Sequence, residues 1–159
     1  MLGRTYDDQV CSIARTLEVL GERWTLLIVR DALLGLQRFD EFQESLGVAR
    51  NVLAERLRRL VEAGVMERVA YQQRPERYGY QLTAIGRELA VPVIGLMQWG
   101  DRHLAGPAGP PRVTRHKDCG GKIHAQLTCA KCGEAVPPAQ MSVRPGPGLR
   151  AQPARATTG

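Results

Sequence analysis

The chain has 159 residues, 43% of them hydrophobic and 24% charged, and a formal charge of +6; this is ordinary for one globular domain with a small appendage. No apolar run reaches the ~20 residues that cross a bilayer, because Arg30 and Asp31 interrupt the best candidate, Trp24 to Leu34, and Asp7 and Asp8 stand where a signal peptide would be apolar. Membrane, secreted and wholly disordered classes are not expected, and a cytoplasmic protein is. The charge is unevenly placed. Residues 1–104 balance 14 Arg against 14 acids, residues 105–136 carry 5 basic and 2 acidic groups, and residues 137–159 carry 3 Arg and no acid. The pI near 9.5 therefore belongs to the tail. Net charge alone says little about the main domain.

In chain order, Cys11 to Leu20 reads as a helix with Ile13, Leu17 and Leu20 on one stripe, stopped by Gly21. Trp24 to Leu34 follows, apolar nearly all round at its start, as expected of an enclosed helix. Asp40 to Leu46 is a short helix with Phe39, Phe42 and Leu46 at helical spacing, closed by Gly47. The next helix spans roughly Arg50 to Ala63, with Leu53, Leu57, Leu60 and Val61 inward and Gly64 as its stop. The period then changes to two, giving strands over Val65 to Tyr71 and Tyr78 to Leu82, with Val69 and Tyr71 available to pair with Tyr78 and Tyr80. Thr83 is placed as the N-cap of a long helix to about His103 that Pro92 should kink. Its stripe is Ile85, Leu89, Val93, Leu96 and Met97.

The cluster Gly106-Pro-Ala-Gly-Pro-Pro111 cannot continue a helix and marks a linker. Four units result: a domain over 1–104, a linker over 105–115, a Cys/His segment over 116–136 and a tail over 137–159 that is expected to be disordered. The fold class is mainly α with a small β-hairpin. A short helix, a Gly47 turn, an amphipathic helix and a two-stranded ribbon make a winged helix-turn-helix, followed by a zinc-ribbon-like segment.

With Leu53 at the centre of the inner face, about 100° per residue places Asn51, Glu55, Arg58 and Glu62 opposite it, flanked by Ala54 and Arg59. Arg50 and Asn51 fall at the helix start, where recognition side chains meet base edges. Arg suits guanine and Asn suits adenine, each pair worth about 1–3 kcal/mol of discrimination. Arg74 and Arg77 flank the ribbon turn and could grip phosphates or the minor groove. Each Arg alone could equally be a solvated surface residue. A basic helix and a basic wing in the right order point to double-stranded DNA.

The runs Cys11-Ser-Ile-Ala, Gly21-Glu-Arg-Trp-Thr-Leu-Leu-Ile, Arg38-Phe-Asp-Glu-Phe, Gly47-Val-Ala-Arg-Asn-Val-Leu, Arg56-Leu-Arg-Arg-Leu, Ala63-Gly-Val-Met-Glu-Arg, Arg74-Pro-Glu-Arg-Tyr-Gly-Tyr-Gln-Leu-Thr and Trp99-Gly resemble the HxlR family of bacterial transcription regulators, relatives of the MarR group. The resemblance covers about residues 9–104. It implies a homodimeric winged-helix regulator of the repressor type, whose first and last helices form much of the dimer contact. Many relatives have Pro after the first Cys, where this chain has Ser12. The resemblance also makes Cys11 a candidate thiol sensor, since some members use a Cys at this place. The plainer reading of Cys11 is a small buried apolar residue.

The remaining cysteines cluster with histidine: His116-Lys-Asp-Cys119-Gly, then Cys129-Ala-Lys-Cys132-Gly. Two pairs with two-residue spacing, each followed by Gly, are the signature of a zinc ribbon, and Cys3His is a normal tetrahedral set for structural Zn2+. A segment this small buries too little apolar surface to fold alone. His124 could replace His116, and unligated thiols remain an alternative. Trp24 and Trp99 read as core or dimer packing, and His103 as a charge partner at a helix end. No catalytic apparatus is visible, so the chain is not expected to be an enzyme. Two rival readings stay open: a small thiol redox protein using Cys129 and Cys132, and an interaction module whose winged helix binds protein.

Overall fold

The computed structural model describes Tyr6 and residues 9–150, the side chain of Arg150 excepted. Four helices come first: α1 Ser12–Leu20, α2 Thr25–Leu33, α3 Phe39–Leu46 and α4 Arg50–Glu62. A hairpin of β1 Met66–Gln73 and β2 Glu76–Leu82 follows, and then α5 Ala84–Glu88 and α6 Ala90–His103. The antiparallel hairpin is the whole sheet. Helices, hairpin and closing helix thus stand in the expected order.

One core joins these elements. Ile28 and Val29 of α2, Phe42 of α3, Leu53, Leu57 and Leu60 of α4, and Met66 at the start of β1 are shut off from solvent. Each such side chain contributes about 1.5–3 kcal/mol relative to exposure. The three leucines lie three and four residues apart, so burying them fixes which side of α4 faces outward. Gly47 closes α3 at φ 61, a left-handed turn that crowds any β-carbon, and turns the chain into α4. Gly86 is needed for a different reason: a β-carbon there would lie 2.1 Å from the Val65 carbonyl oxygen.

A polar link missed by the sequence pattern ties α2 to α3. Asp31 is almost wholly buried, accepts 2.8 Å from Arg30 Nε and 2.7 Å from Ser45 Oγ, and so has both carboxylate oxygens engaged. A buried carboxylate is tolerable only with such partners. The loop before α3 also reaches the hairpin, where Tyr80 N–H donates to the Gln37 carbonyl at 2.7 Å.

Several details differ from expectation. Cys11 is the N-cap of α1 with extended backbone, outside the helix. Trp24 is the N-cap of α2 at φ 80. Of the expected α1 stripe only Leu20 is buried, while Ile13 is 70% exposed. The strands are longer than their alternation suggests, because pairing extends to Gln73↔Glu76 around an Arg74-Pro75 turn. A register shift between Ala70 and Gln72 leaves Tyr71 out of the ladder; Ala70 faces Tyr78 and Arg68 faces Tyr80. The final helix is broken at Leu89 and not kinked at Pro92. Pro92 has no N–H to offer the carbonyl of Glu88, so the ladder parts one turn earlier. Thr83 caps α5 as expected, its Oγ1 accepting from Gly86 N–H at 3.2 Å.

Beyond α6 no hydrophobic side chain is buried among the described residues. Residues 105–136 fold back on α6 through its Gln98 side chain. Gln98 Nε2 donates to the Ile123 carbonyl at 2.7 Å, and Oε1 accepts from Ala125 N–H at 2.9 Å. In the expected tail, Pro138–Gln140 forms a 3-10 turn and Pro147–Arg150 a helical turn, α7. Residues 151–159 lie outside the described residues.

Candidate nucleic-acid interface

The outward side of α4 is left uncovered by the rest of the chain. Arg50, Asn51, Ala54, Arg58 and Arg59 are exposed and Glu55 is half-buried. Their electrostatic settings divide the helix into two parts. At its start, the Arg50 side chain is 73% exposed, lies 4.7 Å above the Phe39 ring and has Asp40 at 3.9 Å. Asn51 beside it makes no side-chain bond within the described residues. These two groups are free to meet a ligand.

Further along, the basic groups are matched by acids. Arg58 pairs with Glu55 at 2.7 Å and with Glu62, and Arg59 pairs with Glu55 at 2.8 Å. Hydrogen bonds from Arg58 and then Arg59 hold the Glu55 carboxyl well down, at about 2. The same contacts with Glu55 and Glu62 raise Arg58 above its ordinary range. Arg56 takes no part in the outer surface. Its side chain is only 17% exposed, bonded to Glu22 at 2.8 Å and to the Arg23 carbonyl at 3.3 Å. The local excess of positive charge read from the sequence is therefore largely neutralised, except at Arg50. Glu22 was missed because it lies 34 residues from Arg56, in the turn between α1 and α2. No local pattern signals such a pairing.

The start of α3 is set by Glu41. Its Oε2 accepts from the backbone N–H groups of Gln37 and Arg38, both at 2.9 Å. These bonds, Arg38 first and Gln37 second, lower its pKa from the ordinary 4.5. This reciprocal use of an N3 acid to satisfy helix-start donors fixes α3, and α3 carries the turn into α4.

Arg74 and Arg77 stand exposed at the hairpin tip, with no acidic partner among the described residues. Nearer the base, Arg68 lies 4.4 Å over the Tyr78 ring and Arg38 lies 5.1 Å over the Tyr71 ring. Both guanidiniums are held by aromatic faces, a second feature the linear sequence did not reveal.

The cysteines occupy two settings. Cys11 is exposed, one turn before Arg15, whose N–H donates to the Cys11 carbonyl at 3.1 Å. The expectation of a buried thiol is not met. The other three belong to two matched knuckles. Gly120 N–H donates to the His116 carbonyl at 2.9 Å, and Gly133 N–H donates to the Cys129 carbonyl at 2.8 Å. The two glycines have φ 68 and 75. Each knuckle is closed by a lone bridge, Arg115↔Lys122 in the first and Thr128↔Ala135 in the second. His116 Nδ1 lies 3.3 Å from Cys119 Sγ. Backbone N–H groups of Cys132 and Lys131, and then the Cys132 side chain, pull the Cys129 thiol down. Both pairs thus carry the soft donors that zinc takes. Among the described residues, however, no three or more His, Cys, Asp or Glu side chains are drawn into one metal-holding group. The pairs are formed; the tetrad is not assembled.

A helix-turn-helix with an exposed second helix and a basic-tipped wing defines a nucleic-acid-binding regulator of the winged-helix class. Comparison with known proteins carries this further. Residues 19–107 match the HxlR-like helix-turn-helix model, and the chain belongs to that family. It is 46% identical over 141 residues to an uncharacterised HTH-type transcriptional regulator of Mycobacterium tuberculosis, covering 89% of each chain. A match of that length leaves at most 18 residues outside it, so both knuckles fall within it. Among solved structures, PA1607, described as a candidate transcription factor, superposes with a TM-score of 0.76 at 38% identity, over 85% of this chain and 94% of that one. The reduced form of the redox regulator HypR matches at 0.55 and 30% identity, over 58% of this chain and 92% of that one. The chain is a transcriptional regulator of the HxlR type, and its relatives are not enzymes. No helix among the described residues is long and apolar enough to cross a membrane.

Proposed function

We propose that the protein is a homodimeric, sequence-specific DNA-binding regulator that inserts the start of α4 into the major groove. The carrying observation is the uncovered outer side of α4, where Arg50 and Asn51 are free of strong internal partners. These two would read base edges, and Ala54 leaves room for close approach. Arg58 and Arg59 would supply positive charge once the phosphate backbone competes with Glu55. Arg74 and Arg77 would hold the wing on phosphates or in the minor groove. A footprinting titration of Asn51→Ala is expected to relax preference at one base position; an unchanged preference removes Asn51 from the reading set.

Dimerisation is supported by exposed apolar side chains on the two helices expected to form the contact. Ile13 and Leu17 stand out on α1, and Leu96 and Trp99, at 57% and 52% exposure, on α6. A monomer would leave this surface wet at a cost of ~25 cal/mol per Å². Sedimentation of Leu96→Glu should show dissociation.

Two control elements complete the proposal. Cys11 is proposed as the oxidant-sensing thiol, supported by its exposure at the head of α1. Structural Zn2+ is proposed in the C-terminal segment, held by His116, Cys119, Cys129 and Cys132. Its support is the identical backbone turn of the two knuckles. The ion would supply the cross-link that this segment's apolar surface cannot provide. One zinc per chain in metal analysis supports this, whereas a metal-free dithiol at Cys129 and Cys132 favours the redox reading.

A further inference from the structure

Where the C-terminal segment folds back on α6 it leaves a trough of about 240 Å³. A second space of about 280 Å³ shares Met97, Asp101 and Arg112 with it and so adjoins it. Each alone is smaller than the about 300–1,000 Å³ common to small-molecule sites, so a bound ligand would span both. The walls combine two chemistries. Met97 of α6 and Val113 and Ile123 of the returning segment give apolar surface, while Arg102, Arg112 and Lys122 add three cations against one acid, Asp101.

These cations differ from most of those of α4. Arg56 at 2.8 Å, Arg58 at 2.7 Å and Arg59 at 2.8 Å are each held by a carboxylate, and Arg50 has a distant one at 3.9 Å. Arg102, Arg112 and Lys122 have none among the described residues. Unpaired cations bordering an apolar recess have their strongest available partner in an anion whose body fills the recess.

The trough is also compatible with a dimer. At about 100° per residue, Leu96, Trp99 and His103 cluster on one side of α6, and Met97, Gln98, Asp101 and Arg102 on the other. The Trp99 ring lies 5.1 Å from that of His103, on the side away from the trough. The returning wall is held in place by the two Gln98 bonds to Ile123 and Ala125. A ligand seated there would touch α6 and the returning segment at once.

We infer that this trough binds a small organic carboxylate with an apolar body. Its bearing on transcription rests on the regulator reading above, but the binding does not, because it is measured without DNA. The test is isothermal titration of the full-length protein with 4-phenylbutyrate, its neutral amide and 4-phenylbutylamine. The carboxylate should bind at least about tenfold more tightly than the amide, with the amine weaker still, as expected of a charge-assisted contact. Arg112→Gln and Lys122→Gln should each weaken the carboxylate several-fold and leave the amide unchanged, with thermal melts confirming the fold of both variants. The inference is overturned by no carboxylate binding at millimolar concentration, by equal affinity for acid and amide, or by unchanged binding in both variants. It is also overturned if inorganic phosphate displaces 4-phenylbutyrate at equal concentration, since the apolar body would then play no part. If the two substitutions instead weaken binding to a random DNA duplex while the carboxylate does not bind, the surface is a phosphate contact and the inference falls.

Discussion

The body formed by α1 to α6 and the segment after it are specified in different ways. Every buried hydrophobic side chain among the described residues lies between Ala14 and Val93, and the segment after residue 104 has none. The body is held by apolar burial around Leu53, Leu57 and Leu60, and its periodic pattern records that burial. The segment is held by backbone turns at Gly120 and Gly133, the Gln98 clamp and, under the proposal above, a metal ion. Burial gives a cooperative unit that resists local change. Turns and ligands give a unit whose order can depend on solution conditions.

This contrast can be broken most sharply in the core. Leu57→Ala should cost about 2–5 kcal/mol of stability, because it leaves a cavity in the core cluster that also holds Phe42 and Leu53. Urea denaturation should show a lower midpoint, with DNA binding lost in proportion to unfolding. In the segment, chelation or Cys129→Ser should make residues 116–136 sensitive to protease. The thermal midpoint of the body should move by less than about 2 °C, a few tenths of a kcal/mol. A joint collapse of both regions would show that they form one cooperative unit.

On the recognition surface, Arg50→Ala should lower discrimination at one base position by about 1–3 kcal/mol and leave stability unchanged. Competitive gel-shift assays with single-base operator variants read this directly. Glu55→Gln should act in the opposite direction. It removes an acid held as a carboxylate by Arg58 and Arg59, so non-specific affinity should rise several-fold and the salt dependence steepen by up to about one unit of slope.

The smallest expected effect is on pH dependence. The lowered pKa of Glu41 means that the folded protein holds its carboxylate more firmly than the unfolded chain does. That contribution is fully present above the ordinary value of 4.5 and is lost as the pH falls through the lowered folded value. Glu41→Gln should lower the denaturation midpoint slightly near neutrality, where the carboxylate's contribution is fully present, and flatten the acid limb below the ordinary value of 4.5, where the wild type loses that contribution.

Much of the fold and part of the site are legible in the amino-acid sequence. The order of elements, the inward leucines of α4, the outward Arg50 and Asn51, and Thr83 as a cap all follow from local rules of period and capping. The departures have non-local causes. Ile13 and Leu17 of α1 are at helical spacing, but spacing does not say whether the partner is this chain or a second copy. The β1–β2 register depends on a bulge at Tyr71, which alternation alone does not place. Pro92 announces a break, and its effect falls on the carbonyl one turn back.

The sequence by itself determined that a winged helix-turn-helix forms and that two knuckles follow it, because periodic burial and short turns are written in neighbouring residues. Only the tertiary structure decided which arginines of α4 remain free, that Asp31 joins α2 to α3, and that residues 105–136 lie against α6. Charge pairing and docking depend on distances between residues far apart in the chain, and those distances exist only once the core has set the helices in place.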